Sequence, residues 1–179
     1  KFGTELYSKE EIEYLVSKFA GNTYMPNIYE YFISQGLRLL AYYGYFGYIV
    51  PDRLGFNTQF VNLRRTLLSQ TQIHSLIYRA PFPDITADTL LFVMQRREKP
   101  TSDFYIEIGE YKSEHSYIPQ QEILKDPSAL FKCYDSIGAM QLITRLEQNS
   151  KLKPLGELVE STSGFGGKSK LITETPESH

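Results

Sequence analysis

The sequence predicts an α/β protein whose open sheet ends in an antiparallel strand pair. Three observations lead there. Apolar residues recur at helical spacing within 8–19, 27–40 and 60–68. Between and after them lie short β-branched and aromatic runs bounded by Gly and Pro, the mark of buried strands. The order helix, strand, helix, strand, strand then calls for one sheet with its last two strands side by side and opposed.

Residues 8–19 read as an amphipathic helix, with Ser8 as cap and Glu11 as the return half of a capping box. Ile12, Leu15, Val16 and Phe19 form its apolar stripe, and Gly21-Asn22 ends it. Pro26-Asn27 opens a second helix, with Glu30 three residues after Asn27. Ile28, Tyr29, Phe32, Ile33, Leu37, Leu39 and Leu40 make it apolar over much of its girth, which predicts a largely buried helix. Gly44 stops it. Tyr45 to Val50, closed by Pro51, reads as a buried strand, parallel and central.

Phe60, Leu63, Leu67 and Leu68 place a third helix, with Arg64 and Arg65 on its other face. Gln72–Tyr78 is a strand, Arg79–Asp88 a loop containing Pro81-Phe82-Pro83, and Thr89–Gln95 a strand. Phe104–Tyr111 reads as a further strand, 112–135 as polar connection and 136–148 as a helix. Leu155–Val159, the Gly-rich 161–167 and Leu171-Ile172 read as strand, loop and strand, a small α+β tail. No repeat of about 20–50 residues is present.

The chain has 179 residues, 41% apolar and 22% charged, the composition of a globular domain rather than a disordered one. Cys133 is the single cysteine, which excludes an internal disulfide and fits a reducing cytoplasm. No apolar run approaches the ~20 residues of a membrane span. The opening residues do not read as a signal peptide, and the missing initiator Met suggests a start inside a longer protein. Net charge is −2, against a purely electrostatic nucleic-acid binder. Residues 51–100, however, hold seven Lys/Arg against four Asp/Glu, whereas 101–150 hold four against eight. An anion-facing surface is therefore expected in the second quarter.

Most chemical motifs fail on spacing. His74, His115 and His179 have no partner at ligand spacing, so no zinc site, and no metal site in the favoured reading, is written here. Gly167-Lys168-Ser169 lacks the Gly a P-loop needs at 162, which is Thr162. Asp84 with Glu110-Tyr111-Lys112 fits a looser pattern, a Mg²⁺-dependent nuclease in which two carboxylates hold the ion and a Lys activates water. Glu110 and Lys112 share parity, which would put both on one strand face. Aromatics make up 14% of the chain; such rings can stack on bases, but most lie on predicted core faces.

Asn27 to Arg97 carries a series of pieces in a distinctive order. Asn27-Ile28-Tyr29-Glu30-Tyr31-Phe32 is followed by Gly47-Tyr48-Ile49-Val50-Pro51, by Leu63-Arg64-Arg65-Thr66-Leu67, and by the loop around Phe82-Pro83-Asp84-Ile85-Thr86-Ala87. This order resembles the distal half of the catalytic domain of amino-methylating DNA methyltransferases, closest to the adenine-N6 enzymes of restriction-modification systems and their methylase–endonuclease fusions. Leu155-Gly156-Glu157-Leu158-Val159 and Ser163-Gly164-Phe165-Gly166-Gly167-Lys168 look like the opening of such enzymes' target-recognition region. The turn before the first strand departs from the family's Lys-Pro-Gly-Gly, and the Phe-x-Gly-x-Gly and Asn-Pro-Pro-Tyr motifs are not in this sequence.

The resemblance implies a partial Rossmann-like methyltransferase sheet, with 1–100 as distal catalytic half, 101–150 as connecting segment and 151–179 as start of the recognition region. It implies S-adenosylmethionine as methyl donor and double-stranded DNA as partner of the parent enzyme, with the target adenine flipped out of the duplex. No catalytic residue is expected in this chain, which should be inactive and bind no cofactor alone. Phe82 matches the aromatic beside the flipped base and Phe32 the one on the cofactor's adenine. Arg53, Arg64, Arg65 and Arg79, with Lys168 and Lys170, are the candidate DNA contacts. An incomplete sheet should expose an edge and favour self-association. The alternatives are the nuclease built on Asp84, Glu110 and Lys112, and a non-enzymatic α/β interaction module.

Overall fold

The computed structural model describes residues 7–19, 27–83, 86–98, 103–133, 137–153 and 155–159. Helix α1 (Lys9–Phe19) starts with the expected reciprocal cap: the Ser8 N–H donates to Glu11 Oε2 at 2.8 Å, and the Glu11 N–H to Ser8 Oγ at 3.2 Å. Helix α2 (Ile28–Leu39) repeats the device, the Asn27 N–H donating to Glu30 Oε1 at 3.0 Å. It buries one face, Tyr29, Glu30, Tyr31, Ile33 and Leu37, and leaves Phe32 and Leu39 exposed. It is less buried than its composition suggested.

The remaining elements are β1 (Tyr45–Pro51), the short α3 (Arg53–Phe56), a 3₁₀ turn, α4 (Val61–Gln70), β2 (Thr71–Tyr78), β3 (Thr89–Arg96), β4 (Tyr105–Glu110), β5 (His115–Pro119), α5 (Gln120–Lys125), α6 (Ile137–Glu147) and α7 (Leu155–Leu158). One five-stranded sheet has the order β1-β3-β2-β4-β5. β3 is antiparallel to both β1 and β2, so β1 and β2 run the same way. β4 is parallel to β2, and β5 antiparallel to β4.

Three expectations are corrected. β1 is an edge strand in an antiparallel pair, not a central parallel one, because β3 returns between β1 and β2. Its apolar run reflects burial of one face by α2, which a parallel core strand would mimic. The sheet also continues beyond residue 100. β5 and α5 lie inside the stretch read as polar connection; β5 is five residues long and buries only Ser116 and Ile118, too short an alternation to stand out. Leu155–Leu158 is a single helical turn rather than a strand, a distinction four residues cannot encode by period. The tail's Gly-rich loop and its second strand lie outside the described residues.

Alternation sorts the sheet into two faces. Val50, Leu76, Leu90, Phe92, Met94, Ile106, Ile108 and Ile118 are buried in the core with Ile33 and Leu37 of α2 and Leu67 and Leu68 of α4. On the other face Tyr45, Gly47, Tyr105 and Tyr117 are exposed and Ile49, Leu91, Val93, Ser75 and Ile77 half-buried. β2 carries a bulge between Ile73 and Ser75. The buried Gln120 side chain repairs it: Oε1 accepts the Ile73 N–H at 3.0 Å, while Nε2 donates to the Leu68 and Thr71 carbonyls, each at 2.7 Å.

Residues 1–140 and 141–179 form two compact units. All five strands belong to the first. The second holds most of α6 and the α7 turn, with its described side chains exposed.

Candidate functional site

β2 ends at Tyr78, and the chain reverses through the loop beginning at Arg79 to enter β3 at Thr89. The loop's base is fixed. The Arg79 N–H donates to the Thr89 carbonyl at 2.8 Å, the Thr89 hydroxyl to the Ala80 carbonyl at 2.5 Å, and the Asp52 N–H to the Asp88 carbonyl at 3.1 Å. Arg79 takes a left-handed backbone, φ 55°, which turns the chain at the strand end. Its guanidinium meets Glu110 at 3.0 Å and Asp88 at 4.0 Å. The loop is thus tied to the carboxyl ends of β1, β2 and β4.

Phe82 projects from that loop, 48% exposed, and lines two adjoining cavities. One, of about 210 Å³, is bounded by Tyr29 at the start of α2, Pro51 at the end of β1, and Phe82, Asp88 and Thr89. The other, of about 360 Å³, lies over Gly47, Ile49, Leu91 and Val93 on the exposed sheet face. The first is mostly apolar, with the Asp88 carboxylate at its rim and two phenols, Tyr29 and Tyr48, in its wall. Burial, then the nearby Glu30, pushes the Tyr29 phenol well above its ordinary range, so it is a neutral hydroxyl. Asp52 beside the loop is raised by burial and then by Asp88. This is the end of an open α/β sheet at which ligands bind, outside the carboxyl ends of strands of common direction.

The sequence-predicted residues separate here. Arg53 opens α3 directly after β1 and is exposed; Arg79 directly follows β2. Both stand at the Phe82 end of the sheet. Arg64 does not face solvent and is corrected: it is fully buried, with Nε on the Ala129 carbonyl at 2.9 Å, Nη1 on the Leu54 and Asn57 carbonyls and Nη2 on the Ser128 carbonyl, each at 2.8 Å. A helix face that reads as polar is instead covered by the 126–131 loop. Arg65 is half-buried and donates to the Asp126 and Pro127 carbonyls at 3.2 Å. Phe32 is 60% exposed on α2 and lines neither cavity beside Phe82. Lys168 and Lys170 lie outside the described residues.

Of the nuclease triplet, Asp84 also lies outside them. Glu110 is held by Arg79, and Lys112 does not share its strand face: β4 ends at Glu110, and Lys112 sits in the following turn at φ 63° with its ammonium over the Tyr111 ring. Among the described residues no group of three or more His, Cys, Asp or Glu could hold a metal, and no helix is long and apolar enough to cross a membrane. The sequence reading did not single out Tyr29, Pro51 or Asp88. Pro51, which closes the strand, was the visible clue to where the site's floor ends.

Residues 3–82 match the Eco57I restriction-modification methylase family. A Methanocaldococcus jannaschii protein named as a type II restriction enzyme and methyltransferase is 26% identical over 155 residues, which is 78% of this chain and 13% of that protein. The crystal structure of the type IIG restriction endonuclease BpuSI superposes on 69% of this chain and 18% of its own, with a TM-score of 0.50 at 10% identity, a likeness of fold. The chain therefore spans only a small part of the length of these relatives. The resemblance to restriction-modification methylases read from the sequence holds: residues 3–82 match that family, and the Methanocaldococcus jannaschii protein is similar over most of this chain.

Proposed function

We propose that this chain is part of an adenine-N6 DNA methyltransferase of a restriction-modification system, and that Phe82 walls the pocket for an adenine extruded from the duplex. The observation that carries the reading is the placement of Phe82. It stands on a loop joining two antiparallel neighbours in one sheet, over a cavity of about 210 Å³ that would enclose a single base. An adenine amino group is out of reach inside a stacked duplex, so such a pocket must receive an unstacked base. Apolar walls replace the stacking the base loses, and Asp88 at the rim can accept a hydrogen bond from it. Arg53 and Arg79, at the same end, would meet the phosphates either side.

The methyl donor in this reading is S-adenosylmethionine, which supplies an electrophilic methyl group to the adenine nitrogen. Phe32, the residue expected on its adenine, is an exposed ring on α2 that is not part of the lining of the Phe82 cavities. No step through the cofactor is assigned to this chain, which we expect to transfer no methyl group alone. In the same reading residues 1–100 are distal catalytic half, 101–150 connect, 151–179 open a recognition region, and the setting is the cytoplasm. The outward N–H and C=O groups of Tyr45, Gly47 and Ile49 on the β1 edge favour self-association.

The test uses a duplex with 2-aminopurine opposite a mismatch, an easily extruded fluorescent base. The 179-residue chain should raise its fluorescence at low salt, and Phe82→Ala should abolish the rise while the melting temperature holds, since Phe82 is half-exposed. An unchanged rise in Phe82→Ala removes Phe82 from the pocket. Light scattering on gel-filtered protein tests association, which Gly47→Lys should reduce.

A further inference from the structure

At the other end of β1, about 20 Å from Pro51 by strand rise, the surface has a different character. Tyr42, Tyr43 and Tyr45 are 53%, 59% and 62% exposed. The Arg96 guanidinium lies 4.9 Å from the Tyr42 ring centre and the Arg97 guanidinium 4.9 Å from that of Tyr43. Tyr45 continues the row, 5.3 Å from the His74 ring, which is 5.0 Å from Phe104. These rings cross β1, β2 and the entry to β4, a strip about 14 Å wide at ordinary strand spacing.

The strip is built rather than loose. The Gly44 N–H donates to the Ala41 carbonyl at 3.0 Å, closing a tight turn whose third residue, Tyr43, has φ 66°. That position favours Gly, because a side chain there crowds its own backbone. Tyr43 is nonetheless held: its N–H donates to the Arg96 carbonyl at 2.9 Å, and its carbonyl accepts from Gln95 Nε2 at 2.8 Å. Arg96 is pinned in turn by the Leu37 and Leu40 carbonyls at the end of α2, and Arg97 by the Gln72 amide oxygen at 2.9 Å. Among the described residues, Arg38, Arg96 and Arg97 make no ion pair with a carboxylate. A bulky aromatic is thus kept in a conformation that favours Gly, backed by guanidiniums that pair with no carboxylate among the described residues.

We propose that this strip binds an unpaired nucleic-acid strand, its rings stacking on bases and Arg38, Arg96 and Arg97 meeting the phosphates. Sheet-borne aromatics serve single strands because every base has a π-face, and a strip of this width takes about two or three bases. The arginines supply the charge complement. Duplex DNA, whose base faces are hidden, would use the arginines alone. The proposal stands apart from the Phe82 pocket and survives or fails independently of it.

The test is fluorescence anisotropy of the 179-residue chain with a labelled oligothymidylate of about twelve nucleotides. Tyr43→Gly should weaken binding about tenfold while the melting temperature holds or rises, because Gly suits the turn. Arg97→Gln should weaken it several-fold and lower the salt slope by about 0.7. A blunt duplex of the same length that binds equally tightly, or polyglutamate that competes as well as the oligonucleotide, overturns the proposal in favour of a duplex or acidic-protein surface. So does an affinity unmoved by Tyr43→Gly and Arg97→Gln.

Discussion

The Nε–H of Arg64 donates to the carbonyl of Ala129 at 2.9 Å, across 65 positions of sequence. With the Leu54, Asn57 and Ser128 carbonyls, Ala129 surrounds the guanidinium in the core. A buried cation is tolerable only when its donors are met, and four backbone carbonyls do that here. Arg64→Ala should destabilise the fold by about 3–5 kcal/mol, since buried carbonyls lose the donors that tie the 126–131 loop to the core. Arg64→Lys should recover only part of that, its ammonium having three donors in a different geometry. Urea unfolding of both variants checks this; an Arg64→Ala change near zero would show that the 126–131 loop is not held from the core.

Glu30 is buried, and that burial raises its carboxyl from 4.5 to about 7, although its bond from Asn27 works the other way. The folded state therefore binds this proton more tightly than the unfolded chain. Its contribution is complete below about pH 4.5 and is lost as pH rises to about 7, at most about 3 kcal/mol. Glu30→Gln keeps the acceptor and cannot ionise. The wild-type minus Glu30→Gln stability difference should fall between pH 5 and 8, and a flat difference across that range would contradict a raised carboxyl.

His115 is bound at both ring nitrogens, Nδ1 to Glu107 at 2.8 Å and Nε2 to the Glu110 carbonyl at 3.1 Å. Both partners only accept, so the doubly protonated ring alone satisfies both. The bond to Glu107, against a smaller effect of burial, raises its pKa above 6.5. Stability from this contact is full below about pH 6.5 and disappears as pH rises through the raised value. His115→Gln should destabilise more at pH 5.5 than at pH 9, read by thermal melts. The imidazole shift in NMR should titrate above the ordinary His value.

The same ring explains Gly109, opposite it in the β4–β5 ladder. A Cβ at Gly109 would fall on the His115 imidazole. Gly109→Ala should destabilise by about 1–3 kcal/mol. Its effect should shrink in a His115→Ala background, a coupling that a double-mutant cycle measures.

Periodicity and capping are local properties, and they were readable directly. The caps at Ser8 and Asn27 form as the spacing of their Glu partners predicted. The β2–loop–β3 reversal lies where the prolines and Phe82 placed it, with the antiparallel pairing that the order of elements predicted. The methylase resemblance came from the same local pieces in order, and residues 3–82 bear it out. What sits on top of a surface, however, is decided by chain distant in sequence. Arg64 and Arg65 share a helix with a polar face, and only the fold of 126–131 over it turned one into a core cation and the other into a loop anchor. β1 looked central because one face of an edge strand can be as apolar as a buried one; which strand returns beside it is a matter of topology. The Tyr29–Phe82–Asp88 cavity and the tyrosine–arginine strip likewise bring together residues with no shared local pattern, so folding alone created them.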